Sequence, residues 1–219
     1  MSKFKKLLDI YTEKYKEYPD DESELLQYVM DKYHVDSNKL ESAIERIDSI
    51  QWKSVSFDLP VIPNPAPRPR HTSRGTTYVE GAHETKEYFR NYVKKRFDDH
   101  VSEIVIGSSI IHTIVDIHID FYIPTPVNSM TKTEIVLAQM KKIRPIGNGD
   151  WDNLAKTYCD MMQDILIYND NIIASGSVEK FYSLKPKVSI ILRYQDGFDC
   201  KYNQRKVLDS KSYKKLIEN

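Results

Sequence analysis

Asp150, Asp152 and Asp170 are the residues of this chain whose type and spacing could do chemistry. They lie in the run GDWDNLAKTYCDMMQDILIYND, residues 149–170. Two carboxylates two residues apart at a chain turn, joined by a third from a later element, can form the hard oxygen donor set that Mg²⁺ takes. Water and a substrate phosphate complete the octahedron. A helix starting near Asp150 turns by about 100° per residue. With Asp152 at zero, Gln163 falls near 20°, Lys156 near 40° and Asp160 near 80°. Leu154, Tyr158, Met161, Met162 and Ile165 fall between roughly 180° and 280°. The segment therefore predicts an amphipathic helix with two acids around a lysine on its polar face. The helix dipole and the unbonded N–H groups favour Asp150 and Asp152 at its N-terminus. Asp170 lies past the helix, at a turn that can fold back toward its start. The same residues also fit a purely structural pattern, with a capping aspartate and an Asp152–Lys156–Asp160 ladder on a solvated face. Spacing alone leaves both open.

The elements that must position these residues can be read on either side. Val55, Phe57, Leu59 and Val61 alternate with polar residues and predict a strand. The run IPNPAPRPRHTSRGTT follows, and its prolines predict an extended loop carrying Arg68, Arg70, His71 and Arg74. A stiff loop presents guanidinium groups to phosphates at low entropic cost, so Arg68, Arg70 and Arg74 are candidate phosphate contacts, as against a solvated basic loop. Residues 83–105 predict a helix whose basic face holds Lys94, Lys95 and Arg96. Lys94 and Lys95 could extend a phosphate-binding path or simply be solvated. Residues 109–122 alternate as a strand, with His118 a lone histidine on its polar side. A short helix at 131–142, a polar turn, the helix from Asp150, and strands at 172–181 and 187–194 complete the pattern. Helices interleaved with strands in this order predict an α/β (α+β) fold, a mixed sheet flanked by helices.

Composition sets the outer limits. The chain has 219 residues, 40% hydrophobic and 29% charged, with no formal net charge. No apolar run approaches the roughly 20 residues that span a bilayer, and the charged N-terminus does not resemble a secretory signal. The expected location is the cytosol. Cys159 and Cys200 have no partners at metal-site spacing. Residues 1–50 predict an all-helical N-terminal extension with 12 Asp/Glu against 8 Lys/Arg, a candidate docking unit for a protein partner. Residues 51–198 form the main domain, with 24 basic and 20 acidic residues from position 51 to the end. Residues 199–219 are predicted to be a basic tail, disordered or folding on a partner.

The run Asp150-x-Asp152-Asn153-Leu154-x-Lys156-x-x-x-Asp160, with Asp170 twenty residues after Asp150, resembles the motif of RusA-type Holliday junction resolvases, many of them phage-encoded. The likeness extends outward to the strand, the Pro63–Arg70 basic loop and the helix before it, and to two closing strands, over roughly residues 54–195. The family's doubled acid followed by Ser-Gln-Ile is here Asn169-Asp170 followed by Asn171-Ile172-Ile173. The resemblance implies a Mg²⁺-dependent endodeoxyribonuclease (Mn²⁺ substituting) that resolves branched DNA such as four-way junctions as a homodimer. Asp150, Asp152 and Asp170 would be its metal ligands, and Lys156 the fourth catalytic residue. Two alternatives remain: an inactive DNA-binding or scaffold protein on the same fold, and a nuclease of other branched-DNA specificity.

Overall fold

Period-two burial builds the central sheet. In β1 (Trp52–Leu59) Val55, Phe57 and Leu59 are buried, in β4 (Val115–Pro124) every second residue from Val115 to Ile123, and in β6 (Lys187–Gln195) Val188, Ile190 and Leu192. Such strands need one covered face and leave the other wet. The computed structural model describes residues 3–65, 70–72, 75–77, 82–97, 110–147 and 149–217. Its four-stranded sheet has the order β1-β6-β4-β5, with β5 spanning Ile173–Ser183. β6 pairs antiparallel with both β1 and β4, whereas β4 and β5 run parallel. The parallel pair requires a crossover, and α5 (Lys132–Gln139) and α6 (Trp151–Met162) lie within it. This is the mixed α+β architecture that the sequence predicts.

Two helices cover the apolar face. α4 (Ala82–Phe97) contributes Phe89 and Val93, and the Phe89 ring lies 6.2 Å from that of Phe57. α6 contributes Leu154, Tyr158, Met161 and Met162, the apolar side expected from its spacing, and Tyr158 lies 5.3 Å from Phe121. Burying side chains of this size stabilises the domain by about 1.5–3 kcal/mol each. A 3₁₀ turn (Asp170–Ile172) leads from the end of α6 into β5.

Several elements differ from the sequence reading. The proline-rich stretch is not all loop: β2 (Arg70–Thr72) and β3 (Gly75–Thr77) pair antiparallel. The prolines end at Pro69, and the threonines beyond it suit a ladder. Strand β4 starts at Val115 rather than 109, and Ile111 instead forms an isolated bridge with Ile167. Residues 98–105 of the helix predicted at 83–105 lie outside the described residues. The C-terminal stretch is not a loose tail. It folds as α7 (Lys201–Leu208) and α8 (Lys211–Ile217), with Val207 in the core and Tyr213 against His112 and Tyr168. Its few apolar residues suffice because the domain offers them an aromatic surface.

The chain divides into two compact units, 1–49 and 50–219. In the first, α1 (Lys3–Tyr15), α2 (Glu22–Lys32) and α3 (Ser37–Asp48) follow one another. Asp21 caps α2 through the Ser23 and Glu24 amides, and Asp36 caps α3 through the Lys39 amide. Neither α2 nor α3 has a fully buried residue.

Candidate active site

The polar turn before α6 sets the position of Asp150. Gly147 and Gly149 have φ of +85° and +92°, values that side chains rarely tolerate. At Gly149 space is also short: a Cβ would approach Pro65 Cγ at 3.1 Å. The Lys180 ammonium, reaching across from β5, donates to the Gly147 carbonyl at 3.0 Å and the Gly149 carbonyl at 3.2 Å. Arg144 holds the Lys180 carbonyl at 3.1 Å and lies over the Phe181 ring. The turn is thus tied to the sheet by cations from a strand and a loop. Sequence reasoning missed both, because no periodicity links position 180 to position 149.

Asp150 follows as the N-cap of α6, in extended conformation and without a side-chain capping bond. Asp152 stands in the first turn, where the helix N-terminus favours its charge. Asp150, Asp152 and Lys156 are all exposed. Asp160, one turn further on, accepts from the Gln163 amide at 3.4 Å. Asn153 is half-buried, and its backbone carbonyl accepts from the Thr157 hydroxyl at 2.7 Å.

Asp170 starts the 3₁₀ turn and is exposed. Its charge reaches α6. The Cys159 thiol is pushed up to about 11 by burial and then by the Asp160 and Asp170 carboxylates. Cys159 falls at about −20° on the wheel that puts Asp152 at zero, so the Asp170 charge is felt within the sector of α6 that carries Asp152 and Lys156. An Asp170→Asn substitution is expected to lower the Cys159 pKa and speed its alkylation by iodoacetamide about twofold at mildly alkaline pH. Mass spectrometry of the two cysteine peptides checks this; an unchanged Cys159 rate would place Asp170 away from the helix.

The donor chemistry fits a hard divalent cation. Asp150 and Asp152 are exposed carboxylates two residues apart, and Mg²⁺ is commonly held by one or two carboxylates with water and phosphate. Among the described residues no three His, Cys, Asp or Glu side chains converge as a ligand cluster. Asp170 lies past the helix, in the 3₁₀ turn that precedes β5.

The loop after β1 adjoins the same end of α6. Tyr158 is buried, which pushes its hydroxyl up to about 12, and the Asn64 backbone hydrogen-bonds it. Pro63, Asn64, Pro65 and Gly149 line a cleft with Ile123 and Pro124 at the end of β4. Arg70 opens β2 only five residues after Pro65, so the chain keeps its Cα within about 18 Å of that residue. Arg68 and Arg74 lie outside the described residues, as do the side chains of Arg70 and Lys94; Lys95 is exposed on α4.

His118 belongs elsewhere. It lies on the sheet face opposite α6, with Nδ1 against the Ser177 hydroxyl and Nε2 3.1 Å from Asp120. It is satisfied structurally, and the sheet separates it from the aspartates.

The folded stabilities of Tyr158 and Cys159 set an alkaline limit. Both pKa values are raised by folding, so the stabilisation is complete below the unfolded values, 9.0 for Cys159 and 10.0 for Tyr158. It falls as pH rises toward about 11 and about 12, because the unfolded chain ionises first.

Comparison with known proteins follows this geometry. The profile of the family described as Endodeoxyribonuclease RusA matches residues 60–193. That span runs from the end of β1 through β6 and includes α6 and Asp170; the helical unit, α7 and α8 fall outside it. Uncharacterized protein YqaN of Bacillus subtilis (strain 168) is 28% identical over 128 residues, covering 58% of this chain and 86% of that protein. Among the described residues no helix is long and apolar enough to cross a membrane.

Proposed function

Because the chain belongs to the RusA endodeoxyribonuclease family, we propose that it hydrolyses phosphodiester bonds in branched DNA and resolves Holliday junctions in recombination and repair. The observation that carries this reading is the Asp150–Asp152 pair at the head of α6, set by a cation-tied turn inside the family-matched segment. Asp150, Asp152 and Asp170 would hold Mg²⁺ (Mn²⁺ substituting), which supplies a more acidic water and neutralises charge on the scissile phosphate. Lys156, one turn after Asp152 on the same face, meets that phosphate as a point charge. Arg68, Arg70 and Arg74, with Lys94 and Lys95, contact the DNA backbone and set the register of the duplex arms. A twofold homodimer presents two such sites to a nearly twofold junction. The helical unit at residues 1–50 docks a protein partner, and the protein works in the cytoplasm.

The test is a synthetic four-way junction incubated with the protein and Mg²⁺, with linear duplex as control. Paired symmetric nicks in the junction alone are the expected result. A band shift without cutting would support the scaffold reading. Cutting of flaps or forks in preference to junctions would reassign the substrate. Junction affinity is also expected to fall steeply with salt, with a slope in log K against log salt of about −0.9 per phosphate contacted. A flat slope in a fluorescence-anisotropy titration would remove the five basic residues from the DNA path.

A further inference from the structure

A second cavity, of about 380 Å³, opens beside Asp170. Its walls are the segment leading into β4 (His112), the residue ending the loop after α6 (Tyr168), the 3₁₀ turn (Asn171), Phe198 and α7 (Asn203, Lys206). Its volume lies at the lower end of small-ligand pockets, suited to one nucleoside and too narrow for a duplex. The lining includes the aromatic rings of His112, Tyr168 and Phe198 beside aliphatic residues, and the His112 ring lies 5.5 Å from Phe198.

Hydrogen bonds within the protein fix which polar atoms of the lining residues remain for a ligand. His112 Nδ1 lies 2.9 Å from the Ile110 carbonyl and donates to it, which leaves Nε2 as an acceptor. The Tyr168 hydroxyl donates to Asn171 Oδ1 at 3.0 Å, so the Asn171 NH₂ is the group left to donate. Asn203 Nδ2 donates to the Asp199 carboxylate at 2.8 Å and 3.1 Å, so its Oδ1 is left to accept. One donor amide and two acceptors among aromatic rings match the edge and faces of a heterocyclic base. Lys206 adds a cation for the attached phosphate, within a stretch holding six Lys/Arg and two acids from Cys200 onward.

We propose that this cavity takes a single unpaired nucleobase of the DNA substrate, stacked among the aromatic side chains and read by Asn171 and Asn203, with Lys206 on its phosphate. The proposal rests on the nuclease reading for its source of DNA. Its position supports it: Asn171 and Ile172 continue directly from Asp170, so a base held here lies next to the chain at Asp170. α7, which supplies Asn203 and Lys206, lies beyond the family-matched span, so this chain's own C-terminal segment builds half the pocket.

The full-length protein can be tested by NMR titration of its histidine side chains with dAMP, dCMP, dGMP and dTMP, with deoxyribose 5-phosphate as the baseless control. At least one nucleotide is expected to shift the His112 ring signals, assigned with His112→Gln, while the control leaves them in place. Phe198→Ala and Lys206→Met are each expected to weaken that nucleotide about tenfold. A four-way junction carrying 2-aminopurine at the branch point should change fluorescence on binding, and Phe198→Ala should lose the change. Failure of all four nucleotides to move His112, or an equal shift with the sugar phosphate, overturns the base pocket. A junction that is bound and cut with no fluorescence change overturns it while leaving the nuclease reading intact. Nucleotide binding by a protein that neither binds nor cuts junctions overturns DNA as the source and the nuclease reading with it.

Discussion

An Asp152→Asn protein is expected to cut a four-way junction about a thousandfold more slowly than the parent, a loss of roughly 4 kcal/mol in transition-state stabilisation. Asp152 is exposed in the first turn of α6, and the substitution keeps its size. Stability should therefore change only by the charge–dipole interaction, about 0.3–1 kcal/mol. Junction binding should be kept or strengthened, since removing a carboxylate lessens repulsion of the DNA backbone. The measurement is single-turnover cleavage with band-shift affinity and thermal unfolding alongside. Cleavage at the parental rate would show that Asp152 is only a helix-start charge, the plainer of the two patterns its spacing allows. Loss of cleavage, binding and thermal stability together would make it a folding residue.

The largest stability effect should come from the wall behind α6. Phe121 is fully buried at the centre of β4 and packs against Tyr158. Phe121→Ala removes that contact and leaves a cavity between sheet and helix, at a cost of about 3–5 kcal/mol. For a unit of this length that lowers the melting temperature by roughly 10 °C. Phe121→Leu, which keeps most of the volume, should cost no more than about 1.5 kcal/mol. Differential scanning calorimetry of the three proteins checks the order. If Phe121→Ala melts with the parent, α6 is not held by this packing, and the placing of Asp150 through it fails. The same cavity should slow cleavage at temperatures where the domain stays folded, because a shift of about 1 Å in α6 misplaces its leading carboxylates.

Most of the fold was legible in the sequence because burial writes a period into it. The alternation of Val115, Ile117, Ile119 and Phe121 has one explanation, a strand covered on one side, and the Leu154–Tyr158–Met162 spacing has one, a helix covered on one side. Less legible were segments whose structure depends on what they meet. The stretch after Cys200 has the charge of a solvated tail, yet Val207 and Tyr213 dock it onto His112 and Tyr168, residues far away in sequence. The hairpin at Arg70–Thr77 was hidden by the prolines that precede it.

The candidate site divides along the same line. By itself the sequence determined the chemical inventory: Asp150, Asp152 and Asp170 as hard oxygen donors, Lys156 as a cation on the same helix face, and the family to which that order of residues belongs. Local spacing suffices for this, since residues a turn apart on a helix must be neighbours. Only the tertiary structure decided what fixes the turn before Asp150, namely Lys180 from β5 and Pro65 from the loop after β1. It also decided that the Asp170 charge is felt at Cys159 in α6, and that α7 closes a cavity beside Asn171 and Ile172. Those contacts join residues separated by tens of positions, and no periodicity in a chain records a distance that only packing creates.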